Sequence, residues 1–75
     1  MLLGSETLYR LILHFILNPD EAPHFRSLQR RVGGGVRPLK AALDRLEEQG
    51  LVSAGDDANR RVYRVNEAHP GWDAL

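Results

Sequence analysis

Positively charged side chains are concentrated in the middle of this 75-residue chain. Residues 24–45 contain a single carboxylate, Asp44, and six cationic side chains, so this segment carries a local charge of +5 although the whole chain is neutral. The six are Arg26, Arg30, Arg31, Arg37, Lys40 and Arg45. Guanidinium groups donate paired hydrogen bonds to phosphate oxygens and to the edge of guanine. The pattern therefore favours a phosphate-binding surface, and the simpler alternative is a solvated basic face.

Two of these cations, Arg37 and Lys40, lie at the start of a segment with helical periodicity over residues 36–49. Its apolar residues recur every three or four positions and so share one face: Leu39, Ala42, Leu43 and Leu46. Gly35 is the expected N-cap of this helix, and Gly50 is the expected stop. The residues expected on its outward side near the leading end are Arg37, Lys40, Ala41 and Asp44.

Two shorter segments before it also have helical periodicity. The first is predicted over residues 5–17, with Ser5 as N-cap and Asn18-Pro19 as its end. Its apolar face is Leu8, Leu11, Ile12, Phe15 and Ile16. The second is predicted over residues 24–32 and ends at three consecutive glycines, residues 33–35. We interpret these glycines as a loose turn, because no strand precedes them and no Lys-Ser or Lys-Thr pair follows, as a phosphate-binding loop would require.

A hairpin and a tail complete the chain. Strands are predicted on either side of turn-forming residues 55–59, so that the hairpin spans residues 51–65. An isolated hairpin is only marginally stable, so this one must pack on the helices. In the tail, residues 66–75, we expect Trp72 and Leu75 to fold back onto apolar surface.

The order helix, short helix, turn, helix, hairpin is that of a winged helix-turn-helix. We therefore predict one mainly α domain with a small β-hairpin, spanning residues 1–75. In such units the second helix of the pair enters the DNA major groove with its N-terminal residues leading. Arg37 could then bind guanine and Lys40 a base edge or a phosphate. Asp44 could accept a hydrogen bond from cytosine or hold one of these two cations.

Other arginines are suited to the DNA backbone. Three on the second helix and two on the wing are predicted to bind phosphate without reading sequence: Arg26, Arg30, Arg31, Arg60 and Arg61. The two wing arginines could also contact the minor groove. Asp56 and Asp57 argue against deep insertion of the wing tip itself.

Most of the chain resembles ArsR-like winged-helix proteins of prokaryotes. Residues 24–33 are similar to their second helix. The end of their recognition helix and their first wing strand are similar to Leu39, Ala42-Leu43, Arg45-Leu46-Glu47-Glu48 and Gly50-Leu51-Val52. Asn66, His69-Pro70 and the aromatic and leucine that follow resemble a sub-group of these proteins. Its members are often predicted transcriptional regulators, and some carry a nucleotidyltransferase domain after the winged helix. The chain departs from the family pattern at Gly34-Gly35, where Leu-Ser is usual, and at Gln29, where alanine is usual. The resemblance implies DNA binding without a metal sensor, and many relatives are dimers.

Several functions are not expected. The chain has no cysteine, and His14, His24 and His69 lack metal-ligand spacing, so no metal or other cofactor is predicted. We interpret His14 as an exposed or edge residue. No nucleophile with a base and no paired carboxylates suggest an enzyme. No secretory signal is visible and the longest apolar run is too short to span a bilayer, so we expect a cytoplasmic location and no membrane partner.

These features predict a sequence-specific regulator of transcription that binds palindromic double-stranded DNA as a homodimer. A small-molecule effector is left open. The alternative is a protein-interaction winged helix, or the targeting module of a larger enzyme such as a nucleotidyltransferase. The zero net charge and the acidic wing tip favour that alternative.

Overall fold

The computed structural model describes residues 3–72, with side chains from residue 6 onward. Three helices are followed by an antiparallel hairpin and a short 3₁₀ turn, so the predicted winged helix-turn-helix fold is confirmed. The elements are α1 (Leu3–Leu17), α2 (Phe25–Val32), α3 (Val36–Glu48), β1 (Val52–Asp57), β2 (Arg60–Val65) and η1 (Pro70–Trp72). None of the helices within residues 3–72 is long and apolar enough to cross a membrane.

The core lies where α1 packs against α3. Leu11 and Phe15 of α1 and Leu39 and Leu43 of α3 are fully buried, and each such side chain contributes roughly 1.5–3 kcal/mol to folding by leaving water. The predicted leucine face of α3 is therefore confirmed. On α1 the prediction was wrong at Ile16, which is exposed because it lies one residue beyond the stripe that meets α3.

The start of α1 also differs from the prediction. The helix begins at Leu3, so Ser5 lies within it and is not its N-cap. Nothing between residues 3 and 6 prevents helical backbone angles, and a polar residue that can cap a helix does not by itself determine where the helix starts. The predicted end at residue 17 is confirmed.

The turn between α2 and α3 depends on glycine. Gly33 and Gly34 have φ of 80° and 76°, in the left-handed region that other residues rarely adopt. Gly34 also packs closely, since a Cβ there would lie 3.4 Å from the Thr7 hydroxyl of α1. The predicted loose turn is thus a defined one that touches α1. Gly35 is the N-cap of α3, as predicted, and supplies no side-chain hydrogen bond.

The end of α3 leads directly into the wing. The Gly50 N–H donates to Glu47 O and the Leu51 N–H to Leu46 O, both at 3.0 Å, which is a Schellman motif. Gly50 has the φ of 77° that this motif needs. The predicted helix stop at Gly50 is confirmed, and Leu51 enters the core beside Leu46.

The strands of the hairpin are longer and its turn is tighter than expected. The register runs from Val52 opposite Val65 to Asp57 opposite Arg60, so only Ala58 and Asn59 form the turn, both with positive φ. Residues 55–57 belong to β1, because cross-strand hydrogen bonding overrides their turn-forming composition.

The wing is joined to the start of α2 by a connection that the sequence did not predict. The Tyr63 N–H donates to Pro23 O at 3.0 Å, and His24 forms an isolated antiparallel bridge with Val62. The connector between α1 and α2 therefore acts as a one-residue third strand. This pairing holds β2 beside the first turn of α2.

The tail covers the junction of α3 and β1. The Trp72 indole N–H donates to Leu51 O at 2.8 Å, and its ring meets the Phe15 ring edge-on at 6.5 Å. Asn66 donates from its side chain to Gly50 O at 2.8 Å. The predicted folding back of Trp72 is confirmed, and Leu75 lies outside the described residues.

Candidate nucleic-acid interface

A basic groove lies between the start of α2 and the wing. It is an open depression of about 420 Å³ lined by His24, Phe25, Arg26, Arg30, Arg60 and Arg61. Arg26 and Arg30 are four residues apart on α2 and so point to the same side. The pairing of β2 with residues 23 and 24 brings the two wing arginines to them. The structure therefore brings together four of the five arginines that we predicted to bind phosphate.

The charge of the basic groove is only partly neutralised, by Asp56 and Asp57, which lie opposite Arg61 and Arg60 in the hairpin register, and by Glu47. No carboxylate is among its lining residues. Within residues 3–72, Arg26, Arg30 and Arg60 form no ion pair, whereas Arg61 lies 3.5 Å from Glu47. Unpaired guanidinium groups around one depression produce a positive potential that attracts anions.

His24 is a groove residue that our sequence reasoning missed. It is the N-cap of α2, where its Nδ1 accepts from the Ser27 N–H at 3.4 Å. Its Nε2 lies 3.3 Å from Nη1 of Arg60. A polar residue between Pro23 and the first apolar residue of α2 is a recognisable capping signal, but the proximity to Arg60 depends on the wing pairing.

The outward face of α3 has a different electrostatic character. Arg37 and Ala41 are exposed, and no ion pair of Arg37 occurs in the described part of the chain. Lys40 Nζ lies 3.0 Å from Asp44 Oδ1, one helical turn away, and this hydrogen bond raises the pKa of Lys40. Of the two roles considered for Asp44, the structure shows the pairing with Lys40.

Arg61 joins the groove to α3. It lines the basic groove, and its Nη2 lies 3.5 Å from Glu47 Oε2 near the end of α3. Its guanidinium carbon lies 5.9 Å from the centre of the Tyr63 ring, a cation–π distance. The groove and the α3 face are therefore neighbouring parts of one surface.

Arg31 is separated from the other predicted phosphate ligands. Its Nη1 lies 3.2 Å from Glu21 Oε1, and it lines a different depression with Leu13, His14 and Leu17 of α1. The i,i+4 pair Arg26 and Arg30 faces the wing, and residue 31 is turned by about 100° from residue 30. The sequence analysis assigned all three arginines of α2 to phosphate binding, whereas the fold divides them.

His14 is a partly buried residue of α1. The ring is half-buried, and its Nε2 is buried without a hydrogen-bond partner in the structure. Burial lowers the pKa of His14 and the nearby Arg31 lowers it further, while Glu21 acts in the opposite direction. Of the two positions expected for His14, exposed or at an edge, its intermediate exposure fits the edge.

The fold and the surface define a small winged helix-turn-helix with a basic groove beside its wing. Comparison with models of known protein families finds no match. Comparisons with curated proteins and with solved structures likewise find no significant match. Nor do three or more His, Asp or Glu side chains of residues 3–72 come together as a metal site would require.

Proposed function

We propose that this chain binds double-stranded DNA, with the basic groove holding the backbone and α3 directed into the major groove. The observation that carries the proposal is the gathering of four arginines around one depression without a lining carboxylate. Most protein–DNA hydrogen bonds go to phosphate and sugar, and neutralisation of phosphates supplies a large part of the affinity.

In this proposal the residues divide into two groups. Arg26, Arg30 and Arg60 bind phosphate oxygens and set the register of the domain on the duplex. Arg37, exposed in the first turn of α3, reads a base edge, with guanine as the partner that its paired donors fit best. Lys40 must exchange Asp44 for a phosphate or a base, and Ala41 allows close approach.

The biological role that we propose is regulation of transcription in the cytoplasm of a prokaryote, in the manner implied by the resemblance to ArsR-like proteins. The support for this role is the agreement between the predicted and the observed order of helices and wing. It requires a preferred DNA sequence, which non-specific phosphate binding alone does not provide.

Selection of bound sequences from a random duplex pool is the primary test. A preferred site should emerge, and its affinity is then compared with that of a scrambled duplex. We expect Arg37→Gln to weaken the preferred duplex by about tenfold with little effect on the scrambled one, and Arg30→Gln to weaken both and reduce the salt dependence. Equal loss on both duplexes for Arg37→Gln would remove it as a base reader.

We further propose that the chain acts as a homodimer through α1. Three apolar side chains at intervals of four residues are exposed on this helix: Tyr9 at 66%, Leu13 at 41% and Leu17 at 70%. None of them lines the basic groove, so a second copy could cover this stripe while both copies hold DNA. Sedimentation should show a dimer that Leu13→Glu converts to a monomer, and the selected DNA site should be palindromic. A monomeric wild type at the concentrations that bind DNA would exclude this arrangement.

The alternative is a winged helix that binds protein, alone or as the targeting module of a larger enzyme. The observation that favours it is the pairing of Lys40 with Asp44 and of Arg61 with Glu47, which reduces the positive charge of the α3 face. Absence of any binding to pooled duplexes at low salt would support this alternative.

A further inference from the structure

We infer that His24 and Arg60 together form a seat for one phosphodiester group of the DNA backbone. The inference rests on the proposed DNA binding and assigns a phosphate ligand to His24, which neither the charge pattern nor the groove arginines identify. The seat is the pair of atoms His24 Nε2 and Arg60 Nη1, which lie 3.3 Å apart at the side of the basic groove.

The N-cap hydrogen bond of α2 bears on which nitrogen of the His24 imidazole carries the proton. Nδ1 accepts a hydrogen bond from the Ser27 N–H, since a backbone amide can only donate. In the neutral ring the single proton must then be on Nε2. In the tautomer that keeps this N-cap hydrogen bond, Nε2 is a donor, and the contact with Arg60 is then not a hydrogen bond.

The neighbour of His24 Nε2 is the guanidinium group of Arg60. An arginine guanidinium has five N–H donors and no acceptor. His24 Nε2–H and Arg60 Nη1–H are thus two donors in contact, and neither can satisfy the other. Within the described residues no carboxylate lines the groove to accept from them. An oxygen acceptor placed between the two nitrogens would bond both.

A phosphodiester group has the chemistry that such an acceptor needs. A phosphodiester has two non-bridging oxygens and one negative charge, so it can accept from His24 and Arg60 while remaining within reach of the other groove arginines, Arg26 and Arg30. Charge-assisted hydrogen bonds of this kind are shorter and stronger than neutral ones. The pairing of residues 23 and 24 with β2 pre-organises the two donors.

The test compares two arginines of the same strand. Arg60→Gln removes a groove donor, and Arg64→Gln removes the same charge from an exposed position of β2 that does not line the groove. On a non-specific duplex we expect Arg60→Gln to lose about tenfold in affinity and about 0.9 in the slope of log K against log salt, the value for one phosphate contact. Arg64→Gln should lose less than about twofold, since an exposed charge acts only through a screened field.

His24→Ser provides the second arm. Serine is a good N-cap, so α2 is retained while the Nε2–H donor is removed, and circular dichroism and thermal unfolding check that the fold is unchanged. We expect a loss of about fivefold, and a double variant with Arg60→Gln whose loss is smaller than the product of the two single losses, because both side chains act on one phosphate.

The outcomes separate the two proposals. The seat would be overturned, with DNA binding intact, if the wild type binds and Arg60→Gln and Arg64→Gln lose affinity equally. Additive losses of affinity for His24→Ser and Arg60→Gln would have the same meaning. A wild-type chain that binds no duplex at low salt would overturn both. Unequal arginine effects with non-additive His24 and Arg60 effects would establish the seat.

Discussion

The basic groove and the outward face of α3 are adjacent, but their cations are held in opposite ways. In the groove, Arg26 and Arg30 have no carboxylate nearby, and Arg60 meets another donor. On the α3 side, Lys40 is paired with Asp44 at 3.0 Å, and Glu47 lies 3.5 Å from Arg61 of β2, which also lines the groove, whereas Arg37 has no ion pair among the described residues. The groove is therefore largely open to phosphate, whereas a group that binds Lys40 or Arg61 must displace a carboxylate.

This difference suggests a division of labour within the proposed interface. Exposed ion pairs are worth only about 0–1 kcal/mol, so they are easily exchanged for a well-placed DNA group. They nevertheless penalise a poorly placed one, because the carboxylate then faces phosphate. The groove would supply affinity without regard to sequence, and the paired α3 face would make close approach depend on the bases offered.

The largest effect on DNA affinity is expected from replacing the two arginines of α2 that line the basic groove. The double variant Arg26→Gln/Arg30→Gln should lose on the order of 100-fold in affinity for every duplex, since two charge-assisted hydrogen bonds are removed. Arg31→Gln is the matched control, because Arg31 is on the same helix but paired with Glu21 at 3.2 Å. Fluorescence anisotropy at several salt concentrations measures both. Similar losses for Arg31→Gln and Arg30→Gln would contradict the separation of these side chains.

The next largest effect is on stability and concerns the glycine turn between α2 and α3. Gly33 has φ of 80° and ψ of −166°, a region essentially limited to glycine, so Gly33→Ala should lower the free energy of unfolding by about 1–3 kcal/mol. Gly35 has φ of −88°, which other residues adopt readily. A Cβ at residue 35 would lie 3.3 Å from Cδ of Pro38, so Gly35→Ser should change stability by less than about 1 kcal/mol, since the gain from the capping hydroxyl offsets this close contact. Urea unfolding distinguishes the two, and equal destabilisation would show that the backbone angles are not the cause.

A smaller effect is expected from the carboxylates of α3. Asp44→Asn and Glu47→Gln should each raise affinity for a scrambled duplex by about threefold and reduce preference for the selected site, because Lys40 and Arg61 become free. Glu6→Gln breaks a comparable i,i+4 pair with Arg10 on α1, at 2.8 Å, and should change neither. Equal gains for Glu6→Gln would mean that only net charge matters.

The smallest effect concerns His14, on the side away from the groove arginines. Because the pKa of folded His14 lies below its ordinary value of 6.5, the unfolded chain binds the proton first as the pH falls. Stability should be constant above the ordinary pKa and decline as the pH falls from there towards the lowered one. In His14→Gln this decline should be absent. Thermal unfolding between about pH 7 and about pH 5 measures this decline in stability. If the decline is unchanged in the variant, groups other than His14 cause it.

Much of the fold could be predicted because its signals are local. The spacing of Leu39, Leu43 and Leu46 specifies one buried face, and Gly50 ends α3 where the Schellman motif requires glycine. The errors were at positions where local signals are weak or conflicting. Ser5 has a side chain that can cap a helix but lies inside α1. Residues 55–57 have turn-forming composition but are paired in a strand.

The sequence by itself determined the order of three helices and two strands, the core of α3 and the concentration of charge in residues 24–45. These depend on periodicity and composition, which act over a few residues. Only the tertiary structure decided which cations are available. The pairing of Pro23 and His24 with β2 creates the groove, places Arg60 beside His24 and leaves Arg31 with Glu21. Such contacts join residues up to 40 positions apart, so their geometry follows from packing and not from spacing along the chain.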